Sequence, residues 1–108
     1  MFRLFTTEEF DQDYAKLDNS DKLRVDKILK QLKEKGDNVG KYLAGLSFFR
    51  EKKFDGKRLH FLIYNSINTI FVIAISDKKA QQSTINQILQ ELAKYQYDIF
   101  ELIKRSNE

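Results

Sequence analysis

The stretch Phe49-Arg50-Glu51-Lys52-Lys53-Phe54-Asp55-Gly56-Lys57-Arg58-Leu59-His60-Phe61 decides the fold. Asp-Gly between two hydrophobic runs signals a two-residue type I′ turn, which needs positive φ at both central positions. Strands are therefore expected over about residues 47–54 and 57–64. A two-residue turn also sets register. Phe54 then faces Lys57, Lys53 faces Arg58, Lys52 faces Leu59, Glu51 faces His60, Arg50 faces Phe61 and Phe49 faces Leu62. Cross-strand partners share a face. One face reads Phe48, Arg50, Lys52, Phe54, Lys57, Leu59, Phe61 and Ile63. It has the larger apolar content and should meet helices, with its long cationic side chains reaching water near the turn. The other reads Phe49, Glu51, Lys53, Arg58, His60, Leu62 and Tyr64, and is expected to be the polar one.

Upstream, Phe2 to Phe5 is short enough for an edge strand. Thr6 with Glu9 has capping-box spacing, and Phe10, Tyr14 and Leu17 follow at helical intervals. Asp18-Asn19-Ser20-Asp21 breaks that helix and caps a second. Its apolar stripe is Val25, Ile28, Leu29 and Leu32, and Gly36 stands at the expected C′ position. Residues 37–46 read as a loop. Downstream, Thr69 to Ile75 is a continuous apolar run, expected of a strand buried on both faces. Then Ile85, Ile88, Leu92, Tyr95, Ile99 and Leu102 alternate threes and fours, either to about residue 104 or with a break near Tyr95-Gln96-Tyr97-Asp98. The apolar stripe of this tail is expected either to pack on the side of the N-terminal helices or to present a docking surface.

The fold class is thus α+β. An N-terminal helical hairpin packs on a small, mostly antiparallel twisted sheet of 3–4 strands, with a C-terminal helix. Residues 1–108 form one domain, with 96–108 as a helical C-terminal extension. There is no cysteine, so no disulfide or thiolate chemistry, and the single histidine excludes most histidine-based metal sites. No run is long enough to span a membrane. The N-terminus turns acidic too soon for a signal peptide, so cytoplasmic residence is the default. A net charge of +3 is a mild bias toward polyanions.

The polar face poses a chemical question. Lys53 opposite Arg58 is a like-charge pair that a bound phosphate would turn into an attraction. Beside it, Glu51 and His60 can move or orient a proton near neutrality. Ordinary solvated ion pairs are the other reading of the same residues.

The order of elements and two short motifs, FREKKFDGKRLHF and ISDKKAQQ, resemble the RelE/ParE superfamily of toxin–antitoxin toxins, over roughly residues 2–94. The resemblance implies a ribosome-dependent mRNA endoribonuclease and inhibitor of translation. It would cut by in-line attack of the 2′-hydroxyl, without metal or other cofactor. Its implied partners are a cognate antitoxin, in a toxin–antitoxin hetero-oligomer, together with ribosome and mRNA. Carried over by position, Arg58 is the phosphate clamp after the hairpin glycine, Lys53 a cation of the first strand, and Lys78 the basic residue after the last strand. Glu51 and His60 stand as acid and base, and Arg50, Lys52, Lys57 and Lys79 as RNA contacts. Phe49, Glu51 and Thr84 occupy positions where the family has two lysines and a tyrosine. The alternatives are a ParE-like gyrase inhibitor and an inactive member that only binds its antitoxin.

Overall fold

A computed structural model describes residues 1–107. The hairpin forms as the turn chemistry requires. Asp55 and Gly56 take φ of 45° and 72°, and β3 (Leu46–Phe54) pairs with β4 (Lys57–Tyr64) in the register expected at all six positions. On β4 lies antiparallel β5 (Thr69–Asp77), whose residues Ile70 to Ala74 are all buried.

The sheet has five strands rather than the expected 3–4: the edge strand expected near Phe2 to Phe5 forms, and one more is added. β1 (Arg3–Thr6) runs parallel to β5, and β2 (Lys41–Leu43) pairs antiparallel with β3 inside the segment expected to be loop. The sheet order is β1-β5-β4-β3-β2, so both edges are very short strands, an arrangement that offers little template for another chain.

α1 (Glu8–Ala15) and α2 (Asn19–Lys35) form the helical hairpin. The first cap lies one residue later than the capping-box pattern suggests. Thr7, not Thr6, accepts from the Phe10 amide, because Thr6 is still the last residue of β1. Asp18 caps α2 through the Asp21 amide. Gly36 is not a left-handed C′ residue, since its φ is −42° and it opens a short 3₁₀ turn. Its lack of a side chain is steric: a Cβ there would lie 2.7 Å from Ile70 and 2.9 Å from the Phe2 ring.

The two sheet faces carry separate cores. Phe10, Val25, Ile28 and Leu32 pack on Phe54, Leu59, Phe61, Ile63, Ile70 and Val72 of the face expected to meet the helices. The other face is not open. α3 (Gln81–Gln90) and α4 (Leu92–Ser106), separated by a break at Glu91, lay Ile85, Ile88, Tyr95 and Ile99 on Phe49, Leu62, Phe71 and Ile73. The tail therefore packs on the face opposite the N-terminal helices, and Ile99 is completely buried there. The sheet is a central layer with helices on both sides. No helix among the described residues is long and apolar enough to cross a membrane.

Because Ile99 fills the second core while its neighbour Phe100 is 48% exposed, the two positions should respond differently. Ile99→Ala is expected to cost about 3 kcal/mol and Phe100→Ala under about 0.5 kcal/mol, measured by urea denaturation.

Candidate active site

The site lies on the second face, where β3, β4 and β5 run side by side near the start of α3. Glu51 and His60 are direct cross-strand partners, as are Lys53 and Arg58. This much follows from the hairpin turn alone. The surroundings do not: Glu51 is 2% exposed, Arg58 7% and His60 not at all. The expected polar, solvated face is instead a buried polar cluster, because α3 and α4 cover the apolar remainder of that face.

A bulge completes the cluster. The β4–β5 register slips between His60 and Phe61, so that Ile73 has no partner on β4. Strict alternation from Ile70 and Val72, which face the N-terminal helices, would send Ser76 to that same side. The extra residue reverses the phase, and Ser76 comes to lie opposite Arg58 with its hydroxyl 2.7 Å from His60 Nε2. The backbone groups loosened by the bulge are taken up by α1 and its cap. Thr7 Oγ1 donates to the Ile73 carbonyl at 2.5 Å, and the Ile75 amide donates to Asp13 Oδ2 at 3.1 Å.

Glu51 accepts from one donor group. The Gln81 side-chain amide reaches its two oxygens at 2.7 and 3.0 Å. Arg58 Nε stands 3.9 Å from Glu51 Oε2 without a hydrogen bond, while its Nη1 donates to the Gly56 carbonyl at 2.9 Å. His60 Nδ1 also has no partner. Burial pushes the His60 imidazole down to about 4; the Glu51 carboxylate pulls it back up and the Arg58 guanidinium pushes it further down. The ring is neutral at pH 7 and bonds Ser76 in either tautomer.

The remaining cations divide by location. Lys53 is exposed beside Arg58, and Lys78 and Lys79 are exposed in the turn between β5 and α3. Arg50, expected among the RNA contacts, is only 3% exposed and serves the fold. Its guanidinium donates to the carbonyls of Gly36, Asp37, Val39 and Ser47 and lies over the Tyr42 ring. Lys57, also expected among those contacts, is bound to Asp21 on α2 at 2.8 Å. Lys52 is half-buried and lines a hollow with Gln31, Glu34 and Lys35 of α2. These three point away from the cluster, as the register requires. Ser76 and Gln81 are the site residues that sequence reasoning missed. A bulge that inverts alternation leaves no local signal, and a glutamine at a helix start leaves none either. Among the described residues no group of carboxylates and histidine is arranged to hold a metal ion.

His60 links the site to stability. Its folded-state pKa of about 4 lies below the unfolded value near 6.5. Above pH 6.5 neither state holds the proton. Below it the unfolded chain binds one first, so stability is lost as pH falls toward 4, by up to about 3 kcal/mol. In denaturation series at pH 7, 5.5 and 4, the stability difference between the native protein and His60→Gln should shrink by that amount. The His60 ring protons should not titrate in NMR spectra above pH 5.5.

No family model matches the sequence, and no curated protein sequence matches it. Solved structures do. RelE in the intact E. coli RelBE toxin–antitoxin complex superimposes with a TM-score of 0.64 at 20% identity, over 71% of this chain and 96% of that one. The RelB–RelE antitoxin–toxin complex from Methanococcus jannaschii gives 0.61 at 12% identity, over 74% and 96%. The YoeB dimer from Staphylococcus aureus gives 0.55 at 17% identity, over 69% and 94%. The match spans nearly the whole of each of those chains: this chain has the fold seen in RelE.

Proposed function

We propose that the protein is the toxin of a toxin–antitoxin pair and cleaves mRNA in the ribosome, with Arg58 at the centre of the site. The observation that carries the reading is a buried arginine with an unbonded Nε, flanked by the Glu51–His60 pair and by exposed Lys53, Lys78 and Lys79. RNA cleavage by its own 2′-hydroxyl needs an acceptor for that proton, positive charge on the phosphate, and a proton for the departing 5′ oxygen. Glu51 is the acceptor. Arg58 clamps the non-bridging oxygens, a task suited to a planar fork of donors. Lys53 and Lys78 add charge, and one of them protonates the leaving oxygen. His60, neutral and tied to Ser76, orients the Glu51 side of the site. Lys79 contacts the RNA backbone. The ribosome supplies substrate alignment, so cleavage of free RNA is weak. Because RelE of E. coli and of M. jannaschii was crystallised with its antitoxin, a RelB-like partner is the proposed neutralising protein.

The near-complete burial of Glu51 and His60 favours a second reading, in which the cluster only braces the fold and the protein poisons gyrase in the manner of ParE. Expression of native protein and Arg58→Ala in a bacterial host separates the two. The expected result is growth arrest with new mRNA 5′ ends at A-site codons, both reduced about 100- to 1,000-fold in the variant. Arrest without cleavage, unchanged by Arg58→Ala, would move the assignment to a protein target.

A further inference from the structure

Glu51 and Arg58 are opposite charges, both buried, yet they do not form the contact such groups ordinarily form. A carboxylate and a guanidinium in low dielectric favour a bidentate pair with N···O distances of about 2.7–2.9 Å. Here the separation is 3.9 Å, and Arg58 Nε has no hydrogen-bond partner. What holds them apart is visible in the bonds of Glu51. Both its oxygens are taken by the amide of Gln81, the first residue of α3, reaching over from the turn that carries Lys78 and Lys79.

We propose that Gln81 is a positioning residue that keeps the Glu51 carboxylate off Arg58, so that the guanidinium stays available to a phosphate. The inference rests on the phosphate-binding role of Arg58 just given. The physical reason is anchoring: a carboxylate can accept from several donors at once, but the Gln81 amide fixes where the Glu51 carboxylate sits, short of bonding distance from Arg58. If the Gln81 amide is removed, two buried carboxylate oxygens lose their donor, a costly state. Arg58 Nε is the nearest charged donor. The carboxylate then closes on the guanidinium, the two charges neutralise one another, and the fork that would hold a phosphate is occupied from within. Gln81 is a neutral donor, and neutrality matters here. A cation at that position would itself compete for the phosphate, and a carboxylate would repel Glu51 onto Arg58.

Gln81→Met removes the donor with little change in shape, and the side chain is only half-buried, so the fold is expected to survive; Gln81→Ala provides an independent check. Two readouts are needed. The first is the ¹H–¹⁵N cross-peak of Arg58 Nε, assigned by its loss in Arg58→Lys. In both Gln81 variants it should move downfield and exchange more slowly as the pair with Glu51 forms. The second is the affinity for a fluorescein-labelled single-stranded RNA oligonucleotide at low salt. It should weaken by about tenfold and return to the native level when Glu51→Gln is added to Gln81→Met. An unmoved cross-peak in both variants would overturn the proposal, as would a loss of affinity that Glu51→Gln does not restore. A moved cross-peak in a protein whose native form cuts no ribosome-bound mRNA would uphold the spacing role of Gln81 and defeat the ribonuclease reading alone.

Discussion

Everything in this molecule is referred to the Asp55-Gly56 turn. Two consecutive left-handed residues leave the hairpin no freedom of register, since a slip of one residue would exchange its two faces entirely. With that register set, Phe54, Leu59, Phe61 and Ile63 must serve the core of α1 and α2, and Phe49 and Leu62 the core of α3 and α4. Arg58, His60 and Glu51 are then obliged to share the second face. The site is a by-product of where the hydrophobic residues had to go.

Burying an arginine, a carboxylate and an imidazole together is expensive, because each ion gives up several kcal/mol of hydration. The surrounding chain offsets this only in part. Gly56 and Gln81 each satisfy one group, while Arg58 Nε and His60 Nδ1 remain without partners. Arg50 provides the contrast. It is as buried and as charged, but its Nε and Nη1 donate to four backbone carbonyls and its guanidinium lies over the Tyr42 ring. One arginine is a finished structural clamp; the other is left with capacity unspent.

The hairpin, its register and the inward face were legible because local turn chemistry and a period of two determine them. So was the continuous burial of the third long strand. What escaped had non-local causes. An edge strand is legible in Phe2 to Phe5, but its parallel pairing with β5 is not, since no nearby residue announces it. β2 is three residues drawn into the sheet by β3, helped by Gly40, where a Cβ would lie 2.8 Å from the Glu51 carbonyl. The side on which α4 packs depends on how the chain leaves β5, which periodicity does not encode. The cap moved from Thr6 to Thr7 because the strand claimed Thr6. The buried polar cluster was half legible. Glu51, His60 and Arg58 come from the turn, whereas Ser76 depends on a bulge, and Gln81 on the placement of a helix.

The bulge in β5 ties the site to the far end of the chain. Its loosened carbonyl at Ile73 and amide at Ile75 are held by Thr7 and Asp13, Thr7 and Ile73 being 66 positions apart in sequence. Contacts so distant in sequence form late, after the entropy of closing a long loop has been met. During synthesis at about 5–20 residues per second, the first helix waits several seconds for the strand it must brace. Until then Ser76 has no fixed face and His60 no partner. A nascent chain therefore carries the hairpin but not the finished cluster, which is completed only when the last strand has been translated and docked.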